Sequence, residues 1–90
     1  MPVIYLPDGL RRYAGGEASL EVPGVTVTEA LAAAFRVYPD LRLRLVDEAG
    51  RVHPYLVVFR NEGELRRDGL AEAALAPGDH LTFLEAIGGG

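Results

Sequence analysis

Ninety residues with an apolar fraction of 49% and a charged fraction of 24% make one domain with a small core, and exclude wholesale disorder. The absence of cysteine excludes disulfides, thiolate metal sites, iron–sulfur clusters and a cysteine nucleophile. A formal net charge of −4 argues against nucleic acid as a partner. No apolar run reaches the roughly 20 residues of a membrane span, and Met1-Pro2-Val3-Ile4 lacks the basic start of a signal peptide.

These exclusions predict a cytoplasmic protein that binds neither nucleic acid nor membrane. Lysine is absent and arginine supplies every Lys/Arg position, as codon bias in a GC-rich genome would give. The chain therefore offers no side-chain amine for isopeptide attachment to itself.

Pro2 to Leu6 (PVIYL) has strand composition, and Ala18 to Val22 (ASLEV) alternates before Pro23-Gly24 closes it. The link between them contains Asp8-Gly9 and Gly15-Gly16, which predicts a hairpin with a broad turn. In VTVTEALAAAFRVYP, Thr26 and Glu29 have the spacing of a capping box. Val27, Leu31, Ala34, Phe35 and Tyr38 then form one apolar helical stripe, and Pro39 stops the helix. Leu41 to Val46 (LRLRLV) alternates as a strand would, yet Leu41 and Leu45 also share a helical face. Asp47 to Gly50 is turn chemistry, and Tyr55 to Phe59 (YLVVF) is the strongest β signal in the chain. Asn61-Glu62-Gly63 turns the chain again, and Leu70 to Leu75 (LAEAAL) predicts one helical turn before Pro77-Gly78. His80 to Leu84 (HLTFL) is the last strand, and it leads through Glu85-Ala86-Ile87 into Gly88, Gly89 and Gly90. No internal repeat, linker or second domain is visible.

Catalytic constellations are lacking. His53 and His80 have no ligand partners at metal spacing, so no metal site is expected. Asp47 and Glu48 suit a solvated turn better than an acid/base pair. Gly15-Gly16 lacks the strand–turn–helix setting and the lysine of a phosphate loop. Ser19 has no base near it in sequence, and Arg11-Arg12 and Arg66-Arg67 suit solvated charge. The chain is not expected to be an enzyme in its own right.

What remains is the terminus. Together with VPGVTVTEAL, YPDLRLRLVDEAGRVHPYLVVFRNEGEL and APGDHLTFLEAIGGG, the ββαβ…β order resembles the MoaD/ThiS family of ubiquitin-like β-grasp sulfur carriers. That family includes the small subunit of molybdopterin synthase, the thiamine-pathway carrier and the actinobacterial carrier for cysteine biosynthesis. The middle stretch is more similar to the last and its relatives than to the shortest molybdopterin type. The resemblance spans nearly the whole chain. It implies an α+β fold, a small mixed sheet with one main helix packed across it, over residues 1–87, and a flexible glycine tail over residues 88–90. It also tips LRLRLV toward a short helix or turn. Two departures stand out. The chain has three terminal glycines where the family usually has two after a small residue, so the reactive end is Gly90 or, after trimming, Gly89. Asn61-Glu62-Gly63 replaces the commoner Asn-Gly-Glu order, a local change of turn type.

The chemistry explains the glycines. A carboxylate is a poor acyl donor and must be activated, for instance as an acyl adenylate, in a site that excludes water. Three extended residues span roughly 10 Å, and glycines can thread a narrow channel. A sulfur donor then displaces AMP and leaves a thiocarboxylate at Gly90. The chain itself binds no cofactor, and ATP is consumed by the activating enzyme. The expected partners are a ubiquitin-activating-type adenylating enzyme, a sulfurtransferase or persulfide donor, and a sulfur-accepting enzyme, met by a carrier that is monomeric when free. Strand alternation turns Leu56, Val58, Leu81 and Phe83 toward the helix and places Val57, Phe59 and Leu84 in an apolar patch for those partners; the alternative is that the LRLRLV segment covers that patch. A protein modifier using the same glycine, or a plain β-grasp binding module, are the competing classes.

Overall fold

The computed structural model describes residues 1–86. In chain order these form β1 (Val3–Tyr5), a 3₁₀ helix (Asp8–Ala14), β2 (Ser19–Glu21), α1 (Val27–Val37), a 3₁₀ turn (Pro39–Leu41), α2 (Arg42–Leu45), β3 (Leu56–Arg60), β4 (Gly63–Glu64) and β5 (His80–Glu85). The strands make one sheet in the order β2-β1-β5-β3-β4. β5 occupies its centre, parallel to β1 and antiparallel to β3, so the last strand is hydrogen-bonded on both edges.

α1 begins as its sequence dictates. The Thr26 hydroxyl accepts from the Glu29 N–H at 3.2 Å, and the Glu29 carboxylate accepts in return from the Val25 N–H at 3.1 Å, one residue further back than in the usual reciprocal cap. Val27, Ala30, Leu31 and Ala34 are buried against the sheet, with Phe35 and Tyr38 half-buried beside them. Gly24 lets the chain pass close beneath this helix. It sits at φ 147°, and a Cβ there would stand 2.6 Å from the Ala30 nitrogen, so no other residue fits without movement.

The core is Ile4, Leu20, Leu56, Val58, Leu81 and Phe83 from the inner sheet surface, closed by α1 and by Leu41 and Leu45. No charged or polar residue is buried among the described residues.

Three local expectations change, and one open alternative is decided. The link after β1 is not an open turn but a 3₁₀ helix, because Leu10 and Ala14 are buried in the core. LRLRLV takes the short helix that the family resemblance favoured over the strand that its alternation suggested: Leu41 and Leu45, four apart, both bury completely as Arg42–Leu45 turns helically, leaving Leu43 outside. LAEAAL is not helical. Its backbone caps α1 instead, the Ala73 carbonyl accepting from the Val27 N–H at 3.1 Å and the Ala71 carbonyl from the Thr28 N–H at 3.1 Å. These N–H groups are orphans of the first helical turn, and satisfying them overrides the segment's helix propensity. The two-residue β4, which pairs Gly63 and Glu64 with Arg60 and Phe59, is an additional strand; Asn61 makes its tight entry at φ 55°.

Candidate functional site

The site is built around the exit of β5. Strand register places Leu56 opposite Glu85, Val57 opposite Leu84 and Phe59 opposite Thr82. The Ala86 N–H continues the ladder by donating to the Tyr55 carbonyl at 2.7 Å. Ile87 to Gly90 follow, and the expected reactive residues Gly88, Gly89 and Gly90 lie outside the described residues.

The period of two holds in β3 and β5. Leu56, Val58, Leu81 and Phe83 are buried, whereas Val57 and Phe59 are half-buried and Leu84 is 47% exposed on the opposite surface. The segment 41–46 does not cover that surface; Leu41, Leu45 and Val46 belong to the core instead. β1 extends the apolar surface by one residue that sequence reasoning passed over. Tyr5, 38% exposed, meets His80 edge-on with ring centroids 5.4 Å apart. The signal was present, since alternation in PVIYL turns Tyr5 outward once Ile4 is inside.

Arg67 was expected to be solvated charge, but it is a staple. Its guanidinium donates to the Val52 carbonyl at 2.9 Å, to the His53 carbonyl at 2.9 Å and to the Leu56 carbonyl. This grips the loop that enters β3 and holds Tyr55 where it receives Ala86. His53 serves the same loop: Nε2 contacts the Leu43 carbonyl at 2.8 Å, and the ring stacks on Tyr55 at 5.0 Å. Neither histidine approaches a metal-binding set among the described residues.

The two perturbed carboxylates are structural. Hydrogen bonds from the Arg51 and Ala49 N–H groups, with the Arg51 charge, hold Asp47 below its ordinary carboxyl value in the turn after α2. The Ala76 N–H and the Asn61 amide do the same for Asp79, just before β5. An apolar groove of about 370 Å³ runs along the helix side, lined by Val27, Leu31, Phe35, Val46 and Leu70. It presents arginines but no nucleophile or acid/base pair. The arrangement can display a terminus and be recognised, and it holds no catalytic constellation among the described residues.

A five-stranded mixed sheet with a helix across its inner surface and the last strand at its centre defines a ubiquitin-like β-grasp protein. The sequence profile of the ThiS family matches residues 4–90, and the chain belongs to that family. The sulfur carrier protein CysO of Mycobacterium tuberculosis (strain ATCC 25618 / H37Rv) is 29% identical over 89 residues, covering 97% of this chain and 96% of that protein. A chain of the Amycolatopsis orientalis BexX/CysO complex superposes with a TM-score of 0.89 at 34% identity over 100% of both chains. The small archaeal modifier protein 1 of H. volcanii superposes with a TM-score of 0.74 at 28% identity, over 96% of this chain and 97% of that one. At the level of the family, the chain is a sulfur carrier, a protein cosubstrate and not an enzyme.

Proposed function

We propose that sulfur is carried as a thiocarboxylate on Gly90. The Gly90 carboxylate attacks the α-phosphorus of ATP in a ubiquitin-activating-type enzyme, releasing pyrophosphate. The terminal sulfur of a persulfide on the sulfurtransferase or other donor then attacks the acyl carbon and AMP leaves. A thiol reductant cleaves the resulting acyl disulfide, being oxidised to a disulfide as it frees the thiocarboxylate. The resulting –COS⁻ is handed to a sulfur-accepting enzyme. The observation that carries this reading is the placement of β5: the strand leading to the glycines lies between two neighbours, paired with β1 through Thr82 and with β3 through Glu85, so the tail starts from the central strand of the sheet. The apolar surface of Tyr5, Val57, Phe59 and Leu84 beside it is the recognition face. The relatives named CysO favour the cysteine-biosynthesis branch over the molybdopterin synthase subunit. Cytoplasmic residence suits this chemistry, since ATP and the activating enzyme are found there.

A second reading, conjugation of Gly90 to a target lysine, draws support from the likeness to the archaeal modifier. One experiment separates them. With ATP, the activating enzyme and a sulfur donor, intact-mass measurement should show one oxygen-to-sulfur exchange at Gly90, and deleting Gly89 and Gly90 should abolish it. The deletion should change folding stability by less than about 0.5 kcal/mol. Absence of both adenylate and thiocarboxylate overturns the carrier reading, and protein adducts in cells without thiocarboxylate would establish the modifier.

A further inference from the structure

At the end of the sheet where β5 delivers Ala86, a ring of contacts joins three segments. Gly9 of the first 3₁₀ helix lies against Glu85, close enough that a Cβ would stand 3.3 Å from its Oε1. Tyr13 of the same helix receives two guanidinium groups, Arg12 at 5.0 Å from the ring centroid and Arg44 of α2 at 4.3 Å. From α2 the Leu43 carbonyl contacts His53, His53 stacks on Tyr55, and the Tyr55 carbonyl accepts the Ala86 N–H. The contacts close a collar around the root of the tail.

Glu85 puts one carboxylate in the collar, and the side around Tyr13 is basic and partly apolar in a chain of net charge −4. Arg11 is paired with Asp8 at 2.9 Å, but Arg12 and Arg44 are exposed and form no ion pair among the described residues. Both sit on one aromatic ring, within about one Debye length of each other at 0.1 M salt, roughly 10 Å. Two like charges fixed together repel in the free protein, and an anionic surface relieves that repulsion. Beside them Leu43 is 54% and Tyr55 47% exposed. Arginine and tyrosine around an apolar contact are the composition of an interface centre.

Geometry selects the partner. Four residues follow Ala86, and fully extended they reach at most about 14 Å. An enzyme that takes Gly90 into a water-excluding site must therefore bring the mouth of its channel against the collar. We infer that the collar docks onto an acidic rim around the channel by which the activating enzyme receives the tail. Carboxylates on that rim would meet Arg12 and Arg44 while Leu43 and Tyr55 seal the contact. This inference rests on the carrier function proposed above.

The test compares single-charge changes in the full chain. Arg12→Gln and Arg44→Gln are measured alone and together against Arg60→Gln, a guanidinium at the other end of β3 that donates to the Ala74 carbonyl. Adenylation is followed as carrier-dependent exchange of pyrophosphate into ATP, with circular dichroism melts to confirm folding. The double variant should raise KM for the carrier roughly tenfold at low salt with kcat within about twofold. The gap should close near 0.5 M salt, where screening is short-ranged, and Arg60→Gln should match wild type. A folded double variant with unchanged KM, or a KM rise insensitive to salt, overturns the collar. A fall in kcat alone also overturns it, since that would mean tail placement and not docking. If wild-type chain is never adenylated, the carrier reading fails first and the collar falls with it.

Discussion

The two surfaces of one sheet divide the work. Along β3 and β5, Leu56, Val58, Leu81 and Phe83 point inward and are almost fully buried, while Val57, Phe59 and Leu84, from the same strands, point outward and keep part of their area in water. The residue types are nearly the same on both sides. What differs is whether the chain supplies a cover: α1 covers the inner surface, and no described element covers the outer one. Apolar area with an intramolecular partner stabilises the fold, and apolar area without one is available for association. Hydrophobicity alone would not separate the two roles; strand phase does.

The sharpest break of this division is on the inside. Phe83→Ala empties a completely buried site and should cost about 3–5 kcal/mol, enough to unfold much of the population of a domain this small. A thermal or denaturant melt checks it. The matching change on the outside, Phe59→Arg, should cost about 1 kcal/mol of stability, since Phe59 is only half-buried and an arginine there keeps its charge in water. Against the activating enzyme it should lose about 2 kcal/mol, roughly thirtyfold in affinity. A titration that finds normal binding by a folded variant removes Phe59 from the recognition face, and an unfolded variant reverses the assignment of phase.

A third variant sharpens the comparison at the border of the two surfaces. Arg67→Met leaves three carbonyls of the loop before β3 without their shared donor and should cost about 1–2 kcal/mol. Hydrogen exchange at the Ala86 amide should quicken more than at Phe83, because the loop that receives Ala86 is released first. Equal changes at both amides would mean that Arg67 stabilises the domain uniformly.

The smallest effect belongs to neither surface. Asp79 has its carboxyl value held down by hydrogen bonds from Ala76 and Asn61. A depressed value in the folded state means that the contribution is present above the ordinary value of 3.8 and is lost as pH falls below it. Asp79→Asn should therefore lose less of its melting temperature than wild type between pH 5 and pH 3. A parallel fall in both proteins would show that Asp79 does not couple to folding.

Much of this division was legible from the sequence. YLVVF and HLTFL declared both strand identity and phase, and Thr26 with Glu29 marked the start of α1. LRLRLV alternates, whereas YLVVF is apolar throughout, yet LRLRLV is the one that is helical. Leu41 and Leu45 satisfy both periods, and the helical one is taken because it buries both in the core. LAEAAL has helix-forming residues throughout, and its backbone is recruited by the unsatisfied N–H groups of α1. Both outcomes depend on neighbours remote in sequence. The terminal glycines drew the proposal to the end of the chain because the role proposed for them is backbone reach, which composition reveals. The collar of Tyr13, Arg44 and His53 stayed hidden because its members come from three segments that only the fold brings together.

The central position of β5 also bears on how the domain is made. β1 waits beside β2 until His80 to Thr82 emerge to pair with Val3 to Tyr5, and β3 waits for the same strand on its other edge. Contacts of such long sequence separation set a slow, late closure, so a nascent chain cannot complete its sheet while β5 is still within the ribosome. A fragment cut short before residue 80 lacks its middle strand and presents two unjoined halves to the proteases of the cell. Quality control thus comes from topology: the strand that completes the sheet is the one that leads to the glycines, so a chain cut short before that strand lacks both the glycines and the strand it needs to fold.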